Sequence, residues 1–533
     1  MRGFSRRLIF CCLFVALLPI GCERADPVVE KESGSLPRLR ELDFAPFEKA
    51  LSSFGKKRLA VIDRLVREGD LDSVSAAMAA GEVTSEELTL YFLNRIRRHD
   101  DRLRSMIELN PLALEEARAA DRDRAAGQGR GPLHGIPVNL KDNIGTVAPM
   151  HTTAGAEILL DHSPAADAEV VKKLRAAGAV ILGKASPSEL AGSLTTDPPG
   201  YNAISGMGVN PYREGLPVSG SSSGSAISTS AFLTMGSVGS ETSGSLISPG
   251  ASNGVVAMMP GPGVVSGEGI VPLIRFQDTG GPVGRTVRDV ARLLEAIDEG
   301  DADYVAALDP AALEGVAVGV LRRAIITESR EDGAEFWLGR IDEGLLKAGA
   351  SARDLDETFA QKPDLLPILF LGLSVDTIGY MISAGLPVKS VADLQAYHLA
   401  DSERRIPRGQ NMVDLAVRML AAISQDTGIA EANLAPLYEE AARGARSAAA
   451  SILAETFAKN KVEFLVSLAN MHSDVYATAG YPAITVPLGL DSTGAPNGVT
   501  FIGKPGAEAQ LLGFAFAFEE ATGYRVPPAD RAE

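Results

Sequence analysis

A long run of small residues between Gly215 and Gly254 is the feature that most constrains how this chain can fold. It contains Gly220-Ser221-Ser222-Ser223-Gly224-Ser225 and Gly239-Ser240-Glu241-Thr242-Ser243-Gly244-Ser245. Such side chains are too small to fill a core, and the apolar pieces at Ala231–Met235 and Val255–Met259 are not typical of a linker. Glycine allows a ligand to approach the main chain closely, and consecutive N–H groups can point at one anion. The run therefore predicts a site built partly from the backbone.

Length, charge and cysteine content narrow the class of protein. The chain has 533 residues, enough for a large buried core and for more than one domain. Its net charge of −17 argues against nucleic acid as the main partner. The three cysteines, Cys11, Cys12 and Cys22, all precede residue 23. Residues 23–533 therefore hold no disulfide, thiolate metal site or cysteine nucleophile.

The N-terminus has the pattern of an export signal. Arginines precede an apolar run from Leu8 to Ile20, which is too short for a usual membrane-spanning helix. A cysteine at position 22, after glycine, is similar to the lipidation site of bacterial lipoproteins. We expect residues 1–22 to be a signal peptide with a lipid on Cys22, residues 23–45 to be a tether, and the protein to be periplasmic or in the cell envelope. Signal cleavage without lipidation is the alternative.

Hydrophobic periodicity predicts an α/β protein, because amphipathic helices alternate with short apolar strands. The predicted strands are Ile136–Leu140, Ala179–Gly183, Val316–Leu321, Phe464–Ser467 and Ala483–Pro487. The predicted helices are Phe47–Arg67, Leu71–Ala80, one that follows a capping box of Thr84 and Glu87, Leu112–Ala126, Ala168–Ala177, Thr286–Ile297 and Leu511–Ala521. Residues 301–460 are mainly helical in pattern without a shift in composition. We therefore expect one domain over residues 46–533, with residues 301–460 as a covering region.

Motifs for metal and nucleotide binding are missing from the sequence. The six histidines include no pair at helical ligand spacing and no HExxH motif. There is no GxxxxGK[ST], and no GxGxxG follows a predicted strand. The sequence predicts no metal and no cofactor.

Serine chemistry allows two interpretations. Gly220-Ser221-Ser222-Ser223-Gly224 fits GxSxG, which would make Ser222 a nucleophile with His398 or His472 as its base. That turn needs an apolar strand directly before it, whereas Tyr212–Val218 contains a proline and two charged residues. The second interpretation joins Lys141, at the end of a predicted strand, to Ser221 and Ser245.

Five segments support the second interpretation. They are Gly131-Pro132-Leu133-His134-Gly135-Ile136-Pro137 leading to Lys141-Asp142-Asn143, Gly220–Ser225, Gly239–Ser245 with Pro249 and Asn253-Gly254, Asp278-Thr279-Gly280-Gly281-Pro282, and Ala479–Pro487. In order and spacing they resemble the amidase signature family, and Glu241-Thr242 with the triple serine resembles its peptide-amidase-like branch. Ser243 departs from the family, in which glycine or aspartate is usual at that position.

The resemblance implies an α/β fold with a mixed central sheet covered by helices on both faces. It also implies a Ser-Ser-Lys triad, in which Ser245 attacks the amide carbonyl and Ser221, after a cis peptide, relays the proton to Lys141. Backbone N–H groups around Thr242, Ser243, Gly244 and Ser245 would form the oxyanion hole, and Gly220, Ser222 and Glu241 would support the site. Lysine acts as a base only when neutral, so burial must lower the pKa of Lys141 by about three units.

The sequence therefore predicts a serine amidohydrolase that forms an acyl-enzyme and needs no cofactor. Its expected substrates are C-terminal peptide amides or small amides. The alternative is a catalytically degenerate amidase-fold binding protein of the envelope, an option that Ser243 in the oxyanion loop keeps open. An amidotransferase subunit acting on charged tRNA shares the motifs, but the N-terminal leader directs this chain away from tRNA.

Overall fold

One large mixed β-sheet forms the centre of the protein. The computed structural model describes residues 38–195, 198–328 and 333–529. In chain order the strands are β1 (Met106–Leu109), β2 (Pro137–Lys141), β3 (Val180–Ala185), β4 (Tyr201–Asn202), β5 (Gly206–Met207), β6 (Gly236–Glu241), β7 (Val256–Met259), β8 (Thr279–Gly284), β9 (Ala317–Val320), β10 (Ser351–Asp354), β11 (Phe464–Leu468), β12 (Ala483–Leu490) and β13 (Pro496–Ile502).

Within the described residues, eleven of these strands form one sheet in the order β1-β3-β2-β6-β8-β7-β12-β13-β11-β9-β10. Strand β2 runs parallel to both of its neighbours, β3 and β6, and β9 runs parallel to β10 and β11. The other pairs are antiparallel. Every residue of β2, β3, β6 and β8 is buried, so the middle of the sheet is closed to solvent on both faces.

Helices flank this sheet, which confirms the predicted fold class. They are α1 (Glu48–Ser53), α2 (Lys56–Glu68), α3 (Leu71–Ala79), α4 (Ser85–Leu103), α5 (Ala113–Ala125), α6 (Glu169–Ala176), α7 (Ser223–Ser230), α8 (Ile247–Ser252), α9 (Val287–Ile297), α10 (Arg322–Glu328), α11 (Ala334–Lys347), α12 (Leu366–Gly372), α13 (Ile378–Ser383), α14 (Val391–Leu399), α15 (Ser402–Arg405), α16 (Asn411–Thr427), α17 (Ala435–Asn460), α18 (Ser473–Ala479) and α19 (Glu508–Thr522). A π-helical turn, Leu373–Thr377, joins α12 to α13.

The predicted helices and strands are present, with small shifts at their ends. The capping box before α4 is complete, because Thr84 accepts from the Glu87 N–H and Glu87 accepts from the Thr84 N–H. The helix predicted over Phe47–Arg67 is two helices, because Gly55 adopts an extended conformation between α1 and α2. Strands β1, β4, β5, β6, β7, β8, β10 and β13 were not predicted.

The covering region has its own apolar core. Side chains of α12, α13, α14, α16 and α17 pack with Ile158, Leu190, Val271, Leu273 and Ile274, which belong to segments next to the central sheet. One helical stretch of the described residues, Leu366–Ser383, is long and apolar enough to cross a membrane. Half of that stretch is buried against the rest of the protein, and the core helix of a soluble protein meets the same criteria.

The predicted signal peptide, Cys22 and most of the predicted tether lie outside the described residues. The described end of the tether packs against the fold, contrary to the prediction. Arg38 donates hydrogen bonds to Asp100 Oδ2 at 2.9 Å and to Met106 O at 2.7 Å, and Leu39 N donates to Ile204 O at 2.8 Å. Burial of this ion pair fixes the chain before α1, so a tether can extend only over residues that precede Arg38.

Candidate active site

Lys141 lies at the buried end of β2, between β3 and β6. It is 1% exposed, because every position of β2 faces the interior. Its Nζ lies 2.8 Å from Ser221 Oγ, 2.9 Å from Ser240 Oγ and 3.1 Å from Ser240 O. Ser240 O can only accept, so it takes one N–H of the amine. If Ser240 Oγ takes a second N–H, a neutral amine keeps its lone pair for the hydroxyl of Ser221.

The environment of Lys141 favours its neutral form. Burial lowers the pKa of Lys141 to about 7, while the carboxylates of Asp278 and Glu241 act in the opposite direction. Desolvation therefore outweighs these two charges, because no acidic side chain contacts Nζ within the described residues. At neutral pH a substantial fraction of Lys141 can accept a proton.

Ser221 lies in a tightly constrained turn just before α7. The Gly220–Ser221 peptide bond is cis, as the resemblance implied, and Ser219 has a positive φ of 58°. Ser221 O accepts a hydrogen bond from Ser188 N at 2.9 Å. A Cβ at Gly220 would lie 2.2 Å from Ser188 Oγ, so only glycine fits there. The close packing at Gly220 fixes the turn, and the turn directs the Ser221 hydroxyl toward Lys141.

Ser245 lies between β6 and α8 and is 8% exposed. Its carbonyl oxygen accepts a hydrogen bond from Ser222 N at 3.0 Å, which ties the segment of Ser245 to that of Ser221. In the part of the chain that the structure describes, no hydrogen bond joins Ser221 Oγ to Ser245 Oγ. The structure thus brings Lys141 and Ser221 into contact and places Ser245 beside them through the main chain.

Glu241 organises the loop that precedes Ser245. It is 1% exposed, and its carboxylate accepts from Gly244 N at 2.6 Å, Leu246 N at 2.6 Å and Ile247 N at 3.0 Å. Burial raises the pKa of Glu241, and these three N–H donors oppose that effect. The sequence predicted the Gly244 N–H as an oxyanion donor. That assignment is wrong for this structure, because the Gly244 N–H donates a hydrogen bond to the Glu241 carboxylate. Within the described residues, the N–H groups of Thr242, Ser243 and Ser245 have no such acceptor.

Thr242 is held from outside the small-residue run. Its hydroxyl donates to Asp278 Oδ1 at 2.5 Å, and its carbonyl oxygen accepts from Gln277 Nε2 at 2.6 Å. Burial raises the pKa of Asp278 to about 6, and the Thr242 hydrogen bond acts against this effect.

Among the described residues no group of three or more histidine, cysteine, aspartate or glutamate side chains is placed to hold a metal ion.

Ser240 is the principal site residue that the sequence interpretation missed. Its hydroxyl accepts from Asn143 Nδ2 at 2.9 Å and contacts Lys141, so it bridges the ends of β2 and β6. A serine inside a serine-rich run carries no distinguishing signal. Asn143 and Asp278 lie within the motif segments, but no periodicity or spacing indicated what their side chains contact.

Ser222 does not lie on the strand-to-helix turn of a hydrolase elbow. Coil precedes it rather than a strand, and it is fully buried. Its hydroxyl donates to Ser240 O at 2.9 Å. His398 contacts Gln410, and His472 contacts Ser467, so neither histidine is hydrogen-bonded to Ser222. The Ser222 hydroxyl thus holds the carbonyl group of Ser240 in place.

Together these groups make a chemically coherent arrangement. The buried amine of Lys141 contacts the hydroxyls of Ser221 and Ser240. The Ser245 hydroxyl belongs to a loop in which three N–H groups of the described residues have no acceptor. Such a set can deprotonate a hydroxyl and stabilise a developing oxyanion.

Comparisons with known proteins give a consistent result. The model of the family described as Amidase matches residues 87–340. A probable amidase of Arabidopsis thaliana is 35% identical, covering 87% of this chain and 92% of that protein. The native peptide amidase of Stenotrophomonas maltophilia is 35% identical with a TM-score of 0.78, covering 87% of this chain and 98% of that one. An amidase family protein of Bacillus anthracis has a TM-score of 0.82 and 31% identity, covering 91% and 97% of the two chains.

Proposed function

Because this chain belongs to the amidase signature family, we propose that it is a serine amidohydrolase with a Ser-Ser-Lys triad of Ser245, Ser221 and Lys141. The proposed substrates are C-terminal peptide amides or other small carboxamides. The observation that carries the proposal is the 2.8 Å contact between the buried Lys141 Nζ and Ser221 Oγ. A buried lysine costs stability, so a lysine whose amine contacts only hydroxyl and carbonyl oxygens is best explained by use as a base.

Proton transfer through Ser221 starts the reaction. Neutral Lys141 takes the proton of the Ser221 hydroxyl, and Ser221 takes the proton of Ser245. The Ser245 Oγ then forms a bond to the amide carbon, and the carbonyl π electrons move onto oxygen. Contacts of this kind often tighten only when substrate is bound, which accommodates a Ser221–Ser245 hydrogen bond that is not formed here.

Collapse of the tetrahedral intermediate completes acylation. The C–N bond breaks as Lys141 returns the proton through Ser221 to the leaving nitrogen, and ammonia or an amine departs. Water then attacks the Ser245 ester and gives its proton to Lys141 by the same route. The carboxylic acid leaves, and Ser245 recovers its proton.

Backbone N–H groups of Thr242, Ser243 and Ser245 are the proposed oxyanion donors. One such donor is typically worth about 3–4 kcal/mol in the transition state. Gly244 contributes differently, since Glu241 uses its N–H to set the loop. The side chain at position 243 points away from this role, because Ser243 Oγ donates to Ser473 Oγ at 3.2 Å. The departure from the family at Ser243 is therefore compatible with activity.

Similarity to a peptide amidase motivates the substrate class. The proposal takes from that neighbour only the chemistry in its name, an amide bond on a peptide. Ammonia release from N-acetylated amino-acid amides of increasing length would test it. Free amino-acid amides and simple aliphatic amides give the comparison set.

A fluorophosphonate tests the triad directly. We expect an adduct on Ser245, mapped by peptide mass spectrometry, in protein that begins at residue 23. Lys141→Ala and Ser221→Ala should abolish labelling. Ser225→Ala is the matched control, since Ser225 Oγ is buried without a hydrogen-bond partner. An adduct on Ser222 would favour the hydrolase-elbow mechanism, and a folded protein without any adduct would favour the binding-protein alternative.

We also propose export and lipidation at Cys22, on the pattern of residues 1–22 alone. Incorporation of labelled fatty acid into the full-length protein, and its loss in Cys22→Ser, would support lipidation. A processed but unlabelled protein would indicate ordinary signal cleavage, and an unprocessed cytoplasmic protein would contradict export.

A further inference from the structure

The loop from Pro272 to Asp278, which we call the bridge loop, connects the covering helices to the proposed oxyanion loop. We propose that Asp376 and Tyr438, both in the covering region, are positioning residues that hold the bridge loop in the place from which it fixes Thr242. The inference rests on the proposed function, because it gives these two residues a role in oxyanion stabilisation.

The inner end of the bridge loop forms two hydrogen bonds with Thr242. Asp278 Oδ1 accepts from the Thr242 hydroxyl at 2.5 Å, and Gln277 Nε2 donates to the Thr242 carbonyl oxygen at 2.6 Å. Asp278 and Gln277 follow one another in the chain, so a shift of the bridge loop moves both contacts together. Thr242 immediately precedes Ser243, so the same shift would move the proposed oxyanion donors.

The bridge loop is stiffened by its own last residue. Asp278 Oδ2 accepts from Leu273 N at 2.7 Å and from Ile274 N at 3.0 Å. The side chain of Asp278 therefore joins both ends of the loop as well as Thr242. A displacement imposed near Pro272 is transmitted to Asp278 rather than absorbed by the loop.

The outer side of the bridge loop is held by the π-helical turn between α12 and α13. Asp376 Oδ2 accepts from Arg275 N at 2.7 Å and from the Tyr438 hydroxyl at 2.5 Å. Next to it, Thr377 Oγ1 donates to Pro272 O at 2.8 Å. π-Helical turns occur frequently at functional sites. Here the turn places two consecutive side chains, Asp376 and Thr377, on the bridge loop.

Helix α17 adds a second hold on the same loop. The ring of Phe276 meets the ring of Tyr438 edge-on, with centroids 6.2 Å apart, and the Arg446 guanidinium donates to Phe276 O. Asp376 is 8% exposed and Tyr438 is 5% exposed. A buried carboxylate satisfied by a hydroxyl and a backbone N–H gives a geometrically specific contact, which apolar packing alone would not provide.

Tyr438→Phe and Tyr397→Phe form a matched pair for the test. Each change removes one covering-region hydroxyl that donates to a carboxylate, but Tyr397 donates to Glu157 Oε2, at 2.7 Å, rather than to the group that holds the bridge loop. Thr377→Val removes a different hold on the bridge loop and serves as the second variant if Tyr438→Phe unfolds. All variants are made in the full-length protein.

The readouts are inhibitor affinity and amide hydrogen exchange. A peptide aldehyde forms a tetrahedral adduct with a serine, whereas the peptide acid product does not. For Tyr438→Phe we expect about tenfold weaker aldehyde binding, a part of the 10²–10³ that one oxyanion donor is worth, with product affinity unchanged. Exchange in a peptide covering residues 240–246 should accelerate. Tyr397→Phe should match the wild type in both measurements.

Equal behaviour of Tyr438→Phe and Tyr397→Phe would overturn the inference. So would equal weakening of aldehyde and product, because that pattern indicates general loosening rather than positioning. A wild-type protein that binds no aldehyde would instead count against the proposed function. The exchange measurement still decides whether Tyr438 holds residues 240–246 in that case.

Discussion

Lys141 Nζ lies 2.8 Å from Ser221 Oγ, although 80 positions separate the two residues in the chain. The contact forms because β2 carries Lys141 into the middle of the sheet and the cis peptide turn brings Ser221 to the same place. Burial at this position lowers the pKa of Lys141 to about 7. In the proposed mechanism the charge of this amine sets the activity, and its pKa makes both activity and folding stability depend on pH.

We predict that kcat/KM for a peptide amide rises with pH through about 7, the pKa to which burial lowers Lys141. Protonated Lys141 cannot accept the proton of Ser221, so activity is low below that pH and reaches a plateau above it. Initial rates of ammonia release between pH 5 and pH 9 check this, with the pH stability of the protein measured in parallel. A flat profile, or a limb below about pH 5, would assign the base to another group.

Asp278→Asn should move this acid limb to lower pH. The Asp278 carboxylate favours the charged form of Lys141 and raises its pKa, so removing that charge lowers the pKa. Asp393→Asn, an exposed change at the start of α14, is the control and should leave the limb in place. A fall in kcat is also expected, because Thr242 loses part of its support. An unchanged or upward-shifted limb contradicts the electrostatic assignment.

Ser240→Ala should lower kcat about tenfold with little change in KM, since it removes a contact that orients the base rather than one that binds substrate. Ser240 Oγ touches both Lys141 Nζ and Asn143 Nδ2. Ser225→Ala is again the matched control, because that buried hydroxyl has no hydrogen-bond partner. Steady-state kinetics give kcat and KM for both variants. Equal kcat values for Ser240→Ala and Ser225→Ala would mean that Ser240 does not orient Lys141.

Periodicity predicted some of the apolar elements of the fold, but it missed the apolar strand β7. Strand β2 stands out because turn residues bound its apolar residues, and the Thr84 box marks the start of α4. Strands β6 and β8 did not stand out, because their sequences, Gly-Ser-Val-Gly-Ser-Glu and Thr-Gly-Gly-Pro-Val-Gly, lack a hydrophobic pattern. They are strands because the parallel and antiparallel neighbours on each side satisfy their backbones.

The candidate site likewise contains residues that the sequence predicted and residues that only the folded structure revealed. Lys141, Ser221 and Ser245 were predicted from motifs, whereas Ser240 became visible only when β2 and β6 were paired. The engagement of the Gly244 N–H depends on the length of the Glu241 side chain and on how the loop folds back. Neither property can be read from spacing. Hydrogen bonds between distant segments, such as those of Asp278 and Asp376, depend on tertiary packing.

Lys141→Met should stabilise the protein, and by less as pH rises. The folded pKa of about 7 lies below the 10.5 of an unburied lysine, so the unfolded state binds more protons between these values. Folding therefore costs more at low pH, and the gain from Lys141→Met should shrink by about 3 kcal/mol between pH 6 and pH 9. Chemical unfolding of both proteins across this range gives the difference. Lys172→Met, an exposed change, is the control. A gain that does not change with pH would show that Lys141 has the same pKa in the folded and unfolded states.

Glu241→Gln should impair the formation of the oxyanion loop. The Glu241 carboxylate accepts three backbone N–H groups, whereas a glutamine has one acceptor oxygen and turns an NH₂ group toward the remaining donors. We expect kcat to fall about 10²-fold, close to the loss of one oxyanion donor, and KM to change little. Glu508→Gln is matched to it, because Glu508 is also buried and accepts a backbone N–H, that of Gly261 at 2.9 Å. If both variants lose the same stability but only Glu241→Gln loses kcat, Glu241 acts on the reaction through the loop; if both lose kcat equally, its role is confined to folding.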